Sequence, residues 1–255
     1  MRNVMTIRKT PWVLLGMAIL GLVALTPRYG LVASLAMPQQ ATVAVGSAPE
    51  RIILTPFGDP STGAAVMWRG PGIVTRGSAQ IAVAPSGIDI EKVSETLPAA
   101  STPLEVGSTH FLHHTVVFSG LKPETTYAYR VANGSTWSEW FQFRTASSTP
   151  KPFRFIYLGD EQTDILSHTA RVLRQALLSC PDARMILHAG DLTNVASDDA
   201  EWGEWFAMGG WVNGSILNVP AIGNHQYEKI NPPGTERRLA LHWRAQFGLP
   251  EHGVP

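Results

Sequence analysis

Three oxygen-bearing side chains recur in the second half of this chain, each preceded by glycine and by an apolar run of strand length: Gly159-Asp160, Gly190-Asp191 and Gly223-Asn224-His225. From 160 to 191 is 31 residues and from 191 to 224 is 33, enough for one strand, one helix and their turns. Strand–helix–strand order builds a mostly parallel sheet with right-handed crossovers, and ligands gather beyond the carboxyl ends of its strands. The three side chains are therefore expected to meet at one sheet edge. Two carboxylates brought together repel unless a cation lies between them, and one carboxylate can bridge two metal ions about 3.5–4 Å apart. Asp160 and Asp191 are thus candidate metal ligands. Asn224 adds a neutral amide oxygen, and His225 is left to act on a substrate. A glycine before each ligand permits a tight turn and close backbone approach.

The elements that must place these residues lie in an α/β stretch, residues 153–255. Strands are predicted over 153–158, 185–187 and 216–222. Ala170, Leu173, Leu177 and Cys180 share one helix face, opposite Arg171, Arg174 and Gln175, and Pro181 ends that helix. Ser197 is the expected cap of a second helix running to about residue 208, with acidic residues in its first turns. A further helix is predicted over 237–247, with His242 on it.

Upstream, residues 48–146 read as a β-sandwich, with short strands at 51–55, 63–68, 77–84, 114–118, 126–132 and 137–144. Asn133-Gly134 is a strong hairpin signal between the last two. His113 and His114 fall next to each other on a strand and so face opposite ways; together with His110 they read as structural. Residues 147–152 are small, polar and proline-bearing, as a linker is. Residues 1–36 combine Arg2, Arg8 and Lys9 with an uncharged run over 12–25, the pattern of a signal peptide, or of an N-terminal membrane anchor if uncleaved. Either predicts export, periplasmic or secreted, with membrane contact only through that segment.

The 255 residues carry 20 basic and 20 acidic side chains, so no net basic field exists to hold nucleic acid. Cys180 is the only cysteine, which excludes an intrachain disulfide and a cysteine-rich zinc site.

Several blocks carry a resemblance. Pro49-Glu50-Arg51-Ile52-Ile53-Leu54-Thr55, Val66-Met67-Trp68 and Gly120-Leu121-Lys122-Pro123-Glu124-Thr125-Thr126-Tyr127 resemble the fibronectin type III-like N-terminal domain of purple acid phosphatases. The ordered Gly-Asp, Gly-Asp, Gly-Asn-His set resembles the first blocks of the calcineurin-like metallophosphoesterases, supported by His188-Ala189-Gly190-Asp191-Leu192 and Glu201-Trp202-Gly203-Glu204-Trp205-Phe206. The resemblance implies an all-β sandwich followed by an α/β metallophosphoesterase domain. It implies a phosphoric ester hydrolase using two divalent or mixed-valence metal ions (Fe, Zn or Mn). Asp160 would bind the first ion, Asp191 would bridge both, Asn224 would bind the second, and His225 would stabilise or protonate the leaving oxygen.

Three departures accompany the resemblance. Asn194 stands where purple members carry a ferric-binding tyrosine, which predicts a colourless, divalent site. Gln162 stands where the family often has Gly or His, and reads as a hydrogen-bonding neighbour or, alternatively, a weak ligand. The later histidine blocks do not occur; His242 and His252 read as structural or exposed. The chain is therefore expected to be a truncated N-terminal piece of a longer enzyme, with impaired activity and an incomplete domain. A phosphodiesterase or nucleotide hydrolase of the same superfamily is the near alternative. A non-catalytic extracellular binding module is the alternative of another class.

Overall fold

The computed structural model describes residues 47–74, 76–84, 87–229 and 237–249. The expected signal segment, 1–36, and His252 lie outside them. Among the described residues no helix is long and apolar enough to cross a membrane.

The first half is a sandwich of two antiparallel sheets. Its strands are β1 (Glu50–Pro56), β2 (Ala64–Pro71), β3 (Gly77–Val83), β4 (Glu95–Pro98), β5 (Ala100–Val106), β6 (Thr109–Phe118), β7 (Thr126–Asn133), β8 (Thr136–Trp137) and β9 (Phe141–Arg144), with a one-turn helix α1 (Ile90–Val93) before β4. One sheet has the order β1-β2-β6-β5, the other β4-β3-β7-β8 with β9 also on β7. The Asn133-Gly134 turn joins β7 to β8 as expected, with Gly134 at φ 60°. Asn133 itself is buried and accepts from Trp68 Nε1 at 3.0 Å.

The second half alternates β10 (Ile156–Leu158), α2 (Ala170–Ser179), β11 (Met185–His188), α3 (Asp199–Gly209) and β12 (Leu217–Pro220). The three strands pair in parallel in the order β10-β11-β12. Then β13 (Tyr227–Lys229) pairs antiparallel with β14 (Arg237–Leu239), and α4 (Leu241–Gln246) closes the described chain.

Two local expectations are corrected. The cap of α3 is Asp198, whose carboxylate accepts from Ala200 N and Glu201 N, rather than Ser197. The segment predicted as one helix over 237–247 begins as β14, because its first residues find a strand partner in β13.

Strands β1 and β2 explain why the halves hold together. Leu54, Val66 and Trp68 point into the sandwich core. Their neighbours Ile53, Ala65 and Met67 point the other way, into a second core with Ile156, Ile186, Trp202, Trp205 and Phe247. The continuous apolar run of β2 is what a strand covered on both faces requires. The same double cover puts His114 against Trp68 and Ser101 on one side of β6 and His113 on the other, both buried.

A buried charge cluster lies in that second interface. Asp199, in the first turn of α3, receives Arg69 on both carboxylate oxygens at 2.9 Å and Arg51 at 2.8 Å. Arg51 also reaches Gln246 at 2.7 Å, and Arg69 reaches Glu50 at 2.7 Å. Burial pushes the Asp199 carboxyl up, but His242, Arg51 and Arg69 more than reverse this and hold it well below the usual carboxylate range. His242 Nε2 stands 3.7 Å from Asp199, too far for a hydrogen bond, so the two arginines are the main holders. Burial and the Arg69 charge together lower Arg51 to about 10, against the pull of Asp199. Burial, reinforced by Arg69, Arg51 and His242, pushes His113 down to about 3, so it is packed as the neutral ring.

Candidate functional site

The sheet register brings the predicted ligands to one edge. Leu158, His188 and Pro220 form the last row across β10, β11 and β12. Beyond it the chains stay coupled: Ala189 N donates to Leu158 O at 2.7 Å, Asp160 N to Gly190 O at 3.2 Å, and Ala221 N to His188 O at 2.8 Å. Neighbouring strands run about 5 Å apart, so the backbones carrying Asp160, Asp191 and Asn224 leave the sheet within roughly 10 Å of each other. Asp160 and Asn224 are exposed, and Asp191 and His225 are half-buried.

Both aspartates adopt the left-handed backbone region, Asp160 at φ 51° and Asp191 at φ 52°. For a non-glycine residue this costs of order 1 kcal/mol. The same backbone conformation thus recurs at two equivalent strand ends. Gly190, at φ 94°, and Gly223 allow the two loops to touch: a Cβ on Gly190 would come within 2.9 Å of Gly223, and one on Gly223 would collide with Asp191 Oδ1 and its backbone N.

The loops are tied by hydrogen bonds as well. Asp191 Oδ1 accepts from His225 N at 2.9 Å. The buried Gln226 side chain accepts through Oε1 from both Asp191 N and Gly223 N, each at 2.9 Å. His225 Nδ1 lies 2.7 Å from Asn194 O. A carbonyl only accepts, so Nδ1 carries the proton and Nε2 is the ring nitrogen available to a substrate. Asn194 thus contributes its main chain, not a ligand side chain. Gln162 is half-buried, and its Oε1 has no hydrogen-bond partner.

The structure therefore brings Asp191 and His225 into direct contact, places Asp160 on the adjoining loop, and starts the 224–226 turn at Asn224. Sequence reasoning missed Gln226. Its only signal was a position directly after Gly-Asn-His, where a buried amide can reach two main-chain donors.

Two carboxylates and an amide suit a hard divalent cation held through oxygen. Among the described residues, no three His, Cys, Asp or Glu side chains group as a metal holder. Asp160, Asp191 and Asn224 therefore offer oxygen donors without by themselves making a metal shell. His242 offers nothing to it: it is buried beside Asp199.

Residues 49–145 match the family model of the purple acid phosphatase N-terminal domain. Two uncharacterized proteins of Mycobacterium tuberculosis, from strains CDC 1551 / Oshkosh and ATCC 25618 / H37Rv, are each 29% identical over 215 residues, or 76% of this chain. The chain spans 38% of the length of these curated relatives. Among solved structures, a purple acid phosphatase from yellow lupin (Lupinus luteus) seeds superposes with a TM-score of 0.64 at 16% identity, over 80% of this chain and 41% of that one. PhoD superposes with a TM-score of 0.51 at 14% identity, over 76% of this chain and 44% of that one. At such identities the likeness is one of fold. The resemblance to purple acid phosphatases read from the sequence is borne out by the family match and by that fold.

Proposed function

We propose that this chain carries the oxygen-ligand half of a metal-dependent phosphoric ester hydrolase, a phosphomonoesterase of the metallophosphoesterase type. The observation that carries the reading is the meeting of Gly159-Asp160, Gly190-Asp191 and Gly223-Asn224-His225 at one sheet edge, with both aspartates in the same left-handed conformation. The purple acid phosphatase-like fold around that edge supports it.

In this reading Asp160, Asp191 and Asn224 would hold divalent Fe, Zn or Mn through oxygen. When bound, the cations supply charge neutralisation at the phosphoryl oxygens and acidify a water for in-line attack. Asp191 Oδ1 is engaged by His225 N, so its other oxygen is the freer one. The Nδ1 bond to Asn194 O fixes the His225 ring, and protonated Nε2 would donate to the leaving oxygen. Export across the cytoplasmic membrane through residues 1–36 belongs to the same proposal.

The non-catalytic module reading fits less well. A sandwich serving only to bind a partner needs no shared core with an α/β half, yet Ile53, Ala65 and Met67 are spent on one. The test is hydrolysis of p-nitrophenyl phosphate with and without added Mn²⁺ or Zn²⁺. The expected result is slow, metal-stimulated turnover that falls at least about tenfold in Asp191→Asn. Turnover indifferent to metal, or unchanged in Asp191→Asn, refutes the proposal.

A further inference from the structure

Directly beneath the candidate rim runs a buried polar chain that the proposed reaction does not use. Glu161 follows Asp160 but faces inward, only 1% exposed. One of its carboxylate oxygens accepts from Trp205 Nε1, on α3. The other lies 2.7 Å from His188 Nδ1, on the last residue of β11. His188 Nε2 lies 3.0 Å from Asn218 Oδ1, on β12. The Asn218 amide nitrogen donates to Asn213 O, Ile216 O and, in the sandwich, Leu54 O.

Proton counting fixes the state of this chain. Three carbonyl acceptors orient the Asn218 amide, so its oxygen faces His188 and Nε2 must carry a proton. One further proton lies between Glu161 Oε1 and His188 Nδ1. Whichever atom holds it, Glu161 and His188 together carry no net charge.

The pair also spans the two ligand loops from below. Glu161 is bonded to Asp160 through the peptide, and His188 ends the strand that runs on to Asp191. Above them the bond from Asp160 N to Gly190 O ties the same two loops. We infer that Glu161 and His188 are positioning residues: they fix the separation of Asp160 and Asp191 and hold the left-handed turn at Asp160, so that both carboxylates address one cation site. The inference rests on the proposed metal-dependent function and names the residues that prepare its site.

The test uses the full chain and Mn²⁺ alone as probe, followed by electron paramagnetic resonance. Glu161→Gln can still accept from Trp205 Nε1–H and can donate to His188 Nδ1, so its Mn²⁺ affinity is expected within about threefold of wild type. Glu161→Ala, folded by circular dichroism, is expected to bind at least about tenfold more weakly. Wild-type affinity in a folded Glu161→Ala, or an equal loss in Glu161→Gln, overturns the inference. Should Glu161→Ala not fold, Trp205→Phe removes a single donor to Glu161; an expected loss of about threefold supports the inference and no loss overturns it.

Amide hydrogen exchange in metal-free protein separates this inference from the metal reading. Glu161→Ala should speed exchange at Asp160 N and Asp191 N by about tenfold or more, and leave β7 and β9 as in wild type. If wild type binds no Mn²⁺, the metal reading falls and the exchange result alone decides positioning. Unchanged exchange at both amides overturns it.

Discussion

Two places in this molecule bring carboxylates close to the core, and they treat them in opposite ways. At the interface between the halves, Asp199 is enclosed and answered by Arg51 and Arg69, its charge met at 2.8–2.9 Å. At the sheet edge, Asp160 and Asp191 share a left-handed backbone, and among the described residues no arginine or lysine bonds to either. A carboxylate with its counter-charge built in is a fastener. A pair of carboxylates with none built in is what the proposed metal site requires. The difference sets the enclosed acid apart from the two candidate ligands, in line with the proposed metal site.

That contrast can be broken or sharpened by substitution. The largest effect is expected at Asp199→Ala, which leaves buried Arg51 without a carboxylate and Arg69 with Glu50 alone, and should cost about 3–5 kcal/mol in denaturant unfolding. Asp160→Asn, by contrast, should leave stability within about 0.5 kcal/mol, as for a surface position, while weakening Mn²⁺ binding. Equal destabilisation at both sites would erase the distinction.

Gly223→Ala comes next. Its Cβ meets backbone and carboxylate atoms of Asp191 that cannot swing aside, so about 1–3 kcal/mol is expected, with loss of metal response in the same variant.

Acid should loosen the interface before the sheet edge. His113 is held neutral, with its pKa lowered to about 3, so the unfolded chain takes up a proton from about pH 6.5 downward that the folded chain refuses. Stability is full above that window and lost as pH falls through it, by at most about 1.4 kcal/mol per pH unit. The depressed Asp199 carboxyl adds a further loss below its unfolded value near 3.8. Arg51, Arg69, His242 and Asp199 all face this cluster, and His113→Gln should flatten the upper part of the thermal-midpoint profile. The smallest effect belongs to Asn194→Ala: only the main-chain carbonyl holds His225, so catalysis and stability should stay within about twofold and 0.5 kcal/mol.

The rim was legible in the sequence because each ligand follows an apolar run and a glycine, a local pattern that a parallel sheet turns into proximity. The sandwich strands with clear alternation were legible for the same reason. Strand β5 was not: Ala100–Val106 is mostly exposed and contains Pro103, so it shows no burial period. The first half of β6 was masked by its histidines, whose burial depends on covers from both sides. Arg51, Arg69 and Asp199 could not be paired by inspection, since 148 and 130 residues separate the partners. Nor could Glu161 and His188, whose meaning is the shared proton between two strands.

The doubly covered strand β2 has a consequence for how such a chain could be rearranged. A sandwich of this kind is often a bead that recombination can move from one string to another. This one is poorly suited to travel alone: cut free of the α/β half, it would carry Ile53, Ala65 and Met67 as a bare oily patch, and Arg51 without its acid. The shared core makes the two halves one folding object.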